Sequence, residues 1–213
     1  MEKEITYARI REAIIAVADE LDRHRQYFND LDSPIGDSDH GDSVCAAFKM
    51  AKEAALKSGG SEQDVGALLK AIGRAITFSG GAAMGPLYGT AFTEAGKAVA
   101  GKSSLSYEDL VRMWSAFVEG IARRGGAKLG EKTMFDTIRP AVDALEGAFA
   151  GGKTLSDACE LTIRAAEAGM NSTKDMLSQR GRSSRLGDRS RGHIDPGSAS
   201  MYSVISAFFK AIA

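Results

Sequence analysis

The chain has 213 residues, a formal net charge of −1, 44% hydrophobic and 26% charged side chains. That length supports one ordinary buried core, and the near-neutral balance excludes a broad nucleic-acid-binding or membrane-binding surface. Two cysteines, Cys45 and Cys159, lie in apolar helical patterns with no CxxC or Cys/His cluster, which argues against a disulfide framework and against a zinc site. The charged start (Glu2, Lys3, Glu4) lacks a signal-peptide apolar core, and no apolar run reaches the ~20 residues needed to span a bilayer. The expected location is cytoplasmic.

Helical periodicity dominates, and no alternating strand of useful length is evident. A first helix is expected over residues 5–28, carried by the stripe Ile10, Ile14, Val17 and Leu21. A loop at 29–43 leads to a second helix at 42–58, for which Asp42 is a candidate N-cap. The run Ser61 to Asp64 reads as a capping box opening a third helix at 62–78, with Val65, Leu68, Ile72 and Ile76 on one face. The Gly-rich stretch 79–86 precedes a fourth helix at 86–100, with Pro86 suited to its first turn. Ser106 to Asp109 forms a second capping box for a fifth helix at 106–124, striped by Leu110, Met113 or Trp114, Phe117 and Ile121. Beyond the loop 125–133, helices are expected at 134–150 and 154–178, then a long loop at 179–196 and a last helix at 197–212. The expectation is an all-α single domain over 1–213, with antiparallel neighbours on short connections.

Loops 29–43, 79–86, 125–133 and 179–196 are rich in Gly and in charged or hydroxyl residues, and long loops of that kind are often functional. In an up-and-down bundle alternate loops share an end. These four follow helices one, three, five and seven, so they are expected at one mouth.

Asp32, Asp37 and Asp39 follow a D-x4-D-x-D spacing, with Gly36 and Gly41 beside them. Spacing alone leaves two readings: a solvated acidic loop with Asp caps, or a site for a hard divalent cation such as Mg2+, which takes carboxylates together with substrate phosphates. An EF-hand is excluded, since Gly41, Asp42 and Phe48 stand where a ligand, the turn glycine and the bidentate Glu belong. Gly125 to Thr133 misses a P-loop by one residue, because Glu131 intervenes before Lys132, and it follows a helix rather than a strand. Arg180, Arg182, Arg185, Arg189 and Arg191 form either a solvated segment or a lid with an arginine for phosphate. For His40 and His193 a structural hydrogen-bonding role is the simpler reading, and no spacing suggests a nucleophile.

Taken together, Leu31 to Asp42 (LDSPIGDSDHGD), Met84 to Thr90 (MGPLYGT), Gly125 to Met134 (GGAKLGEKTM) and Gly181 to Gly197 (GRSSRLGDRSRGHIDPG) strongly resemble the L subunit of bacterial dihydroxyacetone kinase, in matching order over almost the whole chain. The resemblance implies an eight-helix antiparallel up-and-down barrel with ADP or ATP bound at one end. It implies two Mg2+ ions on Asp32, Asp37 and Asp39, with His40, Gly41, Asp42 and Ser43 at the phosphates. It further implies Ala83, Met84, Gly85, Gly125 and Met134 in the nucleotide pocket, closed by Arg182, Asp195, Pro196 and Gly197. Asp42, Ser43, Met84, Leu129 and Glu131 depart from the usual family pattern. The implied activity is that of a phosphotransferase subunit, in which metal ions offset the charge of the moving phosphoryl group. The ketose would be held covalently on a separate K subunit, and the donor would be ATP or, through resident ADP, a phosphohistidine protein of the sugar phosphotransferase system. Alternatives from the same resemblance are a subunit of an erythrulose or other tetrose kinase, and a nucleotide-dependent partner of a transcription activator. A nucleotide-free helical interaction module is the remaining class.

Overall fold

The computed structural model describes residues 4–59, 63–78 and 84–213. In chain order its elements are β1 (Ile5–Thr6), α1 (Tyr7–Arg23), α2 (Arg25–Asp32), α3 (His40–Lys57), α4 (Val65–Thr77), α5 (Met84–Ala98), β2 (Ser104–Leu105), α6 (Tyr107–Gly125), α7 (Phe135–Ala150), α8 (Leu155–Ser172) and α9 (Pro196–Ile212). Short 3-10 helices cover Thr173–Asp175 and Arg182–Ser190.

Each long helix packs on its neighbours in sequence, α3 on α4, α4 on α5, and so on to α8 on α9. The ring closes because α1 packs on both α3 and α9. The result is the expected eight-helix up-and-down barrel, with α2 lying across one end against α3 and α9. Its interior is filled by aromatic rings from α3, α5, α6 and α9. Phe48 meets Tyr88 edge-on at 5.0 Å, Phe92 meets Phe117 at 5.1 Å, and Trp114 stacks on Phe209 at 5.2 Å. Such pairs add to the stabilisation that burial alone provides.

Helices α4 and α5 approach each other closely through glycines. A Cβ on Gly66 would lie 2.6 Å from the Gly96 carbonyl oxygen, and one on Gly89 would lie 2.1 Å from Thr77 Oγ1 and 3.0 Å from the Gly73 carbonyl oxygen. The seven-residue spacing of Gly66 with Gly73, and of Gly89 with Gly96, keeps both pairs on one seam between α4 and α5.

Several boundaries differ from the sequence reading. The expected helix 5–28 is two helices broken at His24, whose φ of −104° and ψ of 11° leave the helical region. Ile5–Thr6 instead pairs with Ser104–Leu105 as a two-residue antiparallel ladder at the end away from the long loops. The second helix begins at His40, so its N-cap position is Asp39 rather than Asp42. The third begins at Val65, where the Asp64 side chain accepts from the Ala67 amide at 3.1 Å; Ser61 lies outside the described residues. The seventh expected helix ends at Ser172, six residues early, and part of the loop that follows is 3-10 helix. The Ser106 capping box is present in full. Among the described residues, no helix is long and apolar enough to cross a membrane.

Candidate functional site

The parity argument predicts four loops at one mouth; the loops 29–43, 125–133 and 179–196 meet there around a cavity of about 620 Å³ together with Met84 and Pro86, while residues 79–83 of the fourth lie outside the described residues. First-turn residues of α3 (His40, Ser43), α5 (Met84, Pro86) and α9 (Pro196, Gly197) line it. Amides of a helix's first turn have no partner within that helix, so such positions favour anions. The C-terminal end of α6, through Ile121, Arg124 and Gly125, and Thr133 with Met134 before α7, complete the wall.

The acidic end of the cavity is built from a tight connection between α2 and α3. Asp32 closes α2; its carbonyl accepts from Ile35 at 3.0 Å and Gly36 at 2.6 Å, and buried Ile35 pins the turn. Ser38 takes a left-handed φ of 63°, which turns the chain back toward Asp32. The Asp39 amide then donates to Asp32 Oδ2 at 3.2 Å. A Cβ on Gly36 would stand 2.0 Å from Asp32 Oδ1, so a larger residue here would displace the Asp32 carboxylate.

One oxygen from each of Asp32, Asp37 and Asp39 lies within 4.8 Å of the others. Asp32 is buried and the other two are exposed. Among the described residues, the cationic side chain that pairs with them is Arg182, which ion-pairs with Asp37 and lies 3.9 Å from Asp39. An all-oxygen donor set, three formal negative charges and a guanidinium drawn to them fit a hard divalent cation. Asp39 does not cap its own helix. That task falls to Asn29 of α2, whose Oδ1 accepts from the amides of Gly41 at 2.7 Å and Asp42 at 3.3 Å.

His40 faces the cavity with Nε2 2.9 Å from Ser200 Oγ and its ring edge-on to Phe28. Burial pushes its pKa down to about 4, against the pull of Asp32, so the ring is neutral at physiological pH. Asp42 points elsewhere, bonded to Arg25 at 3.0 Å and to Asn29 at 3.1 Å, and is exposed. Gly41 and Gly85 are buried behind the lining rather than in it. Ala83 lies outside the described residues. Asp195 lines the cavity and caps α9 by accepting from the Ser198 amide at 2.7 Å; burial raises its carboxyl to about 6.

Four residues that organise this mouth were not singled out from the sequence as site residues. Arg180 donates to Glu131 Oε2 at 2.8 Å and to the Gly126 carbonyl at 2.6 Å, fastening the arginine-rich segment over the cavity. Asp136 receives the Thr133 amide at 2.8 Å and shapes the loop before α7. Asn29 is the surrogate cap. Lys132 is buried at 1% exposure and lines the cavity. The near-P-loop spacing pointed at Lys132, but nothing local identified its partners.

Comparison with known proteins agrees with this geometry. The DAK2 domain matches residues 34–210. The chain is 32% identical over 190 residues to the PEP-dependent dihydroxyacetone kinase 2, ADP-binding subunit DhaL, of Listeria innocua, covering 89% of this chain and 88% of that one. It is 36% identical over 176 residues to the PEP-dependent dihydroxyacetone kinase, ADP-binding subunit DhaL, of Escherichia coli K12, covering 83% of each. In structure it is similar to the dihydroxyacetone kinase from C. freundii in complex with AMP-PNP and Mg2+, with a TM-score of 0.71 and 24% identity. That likeness covers 99% of this chain and 35% of the other, and shows a shared fold. The chain therefore belongs to the DAK2-domain family, that of the ADP-binding L subunits of dihydroxyacetone kinases.

Proposed function

We propose that this chain is the nucleotide-binding phosphotransferase subunit of a dihydroxyacetone or related short-ketose kinase. The observation that carries the reading is the convergence of Asp32, Asp37 and Asp39 within 4.8 Å at the acidic end of the large cavity. Alone, these carboxylates would repel a nucleotide's phosphates. Two Mg2+ ions, held by Asp32, Asp37 and Asp39, would offset the charge of the phosphates and of the group being transferred. Around them this chain's own residues bind and orient. His40 and Ser43 stand beside the aspartates, Arg182 brings a guanidinium to the same end, and Met84 and Met134 give the cavity apolar wall for a base. Gly125, Pro196 and Gly197 bring backbone close to the cavity without side-chain bulk beyond the proline ring. The aspartates act as ligands, with no general-base role required.

In this reading, as the likeness to dihydroxyacetone kinase L subunits implies, the acceptor ketose is held covalently by a separate K subunit. Several relatives are named as PEP-dependent, ADP-binding subunits, which supports ADP as a retained cofactor recharged by a phosphohistidine protein of the sugar phosphotransferase system. An L-erythrulose 1-kinase of Mycolicibacterium smegmatis is 32% identical over 179 residues, although the chain spans only 31% of it, and this keeps four-carbon ketoses among the candidate acceptors. Closure of the ring by both α1 and α9 supports reading residues 1–213 as one domain.

The test is ADP binding by the purified chain with and without Mg2+. Binding is expected to require the metal, and Asp37→Ala is expected to lower affinity at least about 100-fold, on the scale of losing a directly coordinating charge. The helical circular-dichroism signal should be unchanged. A variant that binds ADP like the parent would end the metal-bridge reading. Retention of ADP through extended dialysis distinguishes the cofactor mode from exchange with ATP.

A further inference from the structure

Lys132 is a buried cation that the proposed reaction does not use. Its backbone is left-handed, with φ 60°, and its side chain is turned away from solvent into the protein. Nζ donates to two carbonyl oxygens, those of Thr173 at 2.6 Å and of His193. Those carbonyls stand at the two ends of residues 174–192, the segment that carries all five loop arginines. The same neck is drawn together by the Asp195 amide donating to Thr173 Oγ1 at 3.0 Å, and by the Gly192 amide donating to the Lys174 carbonyl at 2.8 Å.

Within the segment, Arg191 Nη1 donates to the Asp175 carbonyl at 2.6 Å and the Ser178 amide donates to Ser190 Oγ at 3.0 Å. Within Arg182–Ser190 only Ser190 is fully buried, so polar ties rather than an apolar core set its position. Its other ties run to the site: Arg180 to Glu131 and Gly126, the Gln179 amide to the Glu131 carbonyl at 3.1 Å, and Arg182 to Asp37. Glu131 and Lys132 are consecutive, so one short loop grips the segment's shoulder by one residue and its neck by the next.

A charged amine in the interior is costly unless fully partnered, and an apolar side chain of equal length would fill the space without that cost. The placement makes sense if the ammonium is used for what only it supplies, which is several donors from one atom. It also sits at the carboxyl end of α8, where a positive charge is favoured. Asp195 adds attraction from the neck itself, while burial lowers the pKa of the amine.

We propose that Lys132 is a positioning residue: its ammonium staples the neck of the 174–192 lid and thereby sets Arg180 and Arg182 over the acidic end of the cavity. The inference rests on the proposed nucleotide site only for what the lid covers, and the staple can be tested without nucleotide.

The lid's five arginines make trypsin a direct probe of its opening. In ligand-free protein, Lys132→Met is expected to speed cleavage between Arg180 and Arg191 at least about tenfold, the loss of one or more charge-assisted hydrogen bonds from a closed state in rapid equilibrium with an open one. Hydrogen exchange in α8 and α9 should stay close to that of the parent, and Lys132→Arg should restore part of the resistance. Unchanged lid cleavage would overturn the proposal. So would faster exchange in α8 and α9 in proportion to the lid, which marks a purely structural cation. If Lys132→Met does not fold, exchange in the unmodified protein decides: the Gly192 and Asp195 amides should be protected like α9 while residues 182–189 exchange fast. Neck amides that exchange as fast as the lid would reject the staple. Adding ADP with Mg2+ to the unmodified protein should slow lid cleavage further. Failure of that arm alone counts against the nucleotide reading and leaves the staple standing.

Discussion

Asp195 and His40 both line the cavity, and burial moves their pKa values in opposite directions. Asp195 rises from 3.8 to about 6, so between those values the folded chain keeps a proton that the unfolded chain has lost. Its contribution to stability is therefore greatest below pH 3.8 and falls as pH rises to about 6. His40 drops from 6.5 to about 4, so its contribution is full above pH 6.5 and is lost as pH falls toward 4. The two slopes oppose each other between pH 4 and 6. Asp195→Asn keeps an acceptor for the Ser198 amide and removes one slope. The variant is expected to lose stability more steeply than the parent as pH falls from 6 to 4. Urea denaturation at several pH values measures this, and parallel curves for the two proteins would contradict it. At this scale the three clustered carboxylates were readable because they lie within eight residues of one another. Lys132 was not, because its carbonyl partners lie 41 and 61 residues away.

At the scale of elements, the useful arrangement is α2 capping α3. An Asp at an N-cap position normally satisfies its own helix. Asp39 does not, and Asn29 takes over across the α2–α3 contact, which leaves the Asp39 carboxylate free for the acidic cluster. Asn29→Ala is expected to cost about 1 kcal/mol of stability, the usual value of an N-cap. It should also weaken Mg2+-dependent ADP binding, because the α3 first turn would recruit Asp39 as its cap. Calorimetric melting together with ADP titration tests both; normal binding with reduced stability would show that the cap and the cluster are uncoupled. The break that creates α2 could not be seen in the sequence. Phe28 continues the stripe of Ile10, Ile14, Val17 and Leu21 seven residues after Leu21, and His24 is neither Gly nor Pro. Packing Phe28 into the core while α2 crosses the barrel's end is a tertiary demand that overrides local helical preference.

For the whole molecule, the ring depends on how near α4 and α5 can come. Gly89→Ala would place a methyl group 2.1 Å from Thr77 Oγ1 and 3.0 Å from a backbone oxygen of α4. Overpacking of this kind is expected to cost about 1–3 kcal/mol. Chemical denaturation should show that loss, while ADP affinity of the folded fraction stays near that of the parent because the contact lies away from the cavity lining. A fully stable variant would mean the seam can open without cost.

The amino-acid order by itself determined the all-helical class, the positions of most of the long helices and the mouth at which the loops 29–43, 125–133 and 179–196 meet. Periodicity, caps and glycines act over a few residues, and the alternation of an up-and-down chain follows from counting. It also determined the acidic triad, whose members are close in the chain. Only the tertiary structure decided the closure of the ring by α1 and α9, the turn of α2 across its end, the transfer of the α3 cap to Asn29 and the Lys132 staple. Each depends on groups distant in sequence or on the balance of burying one side chain against breaking one helix, and local pattern does not encode such terms.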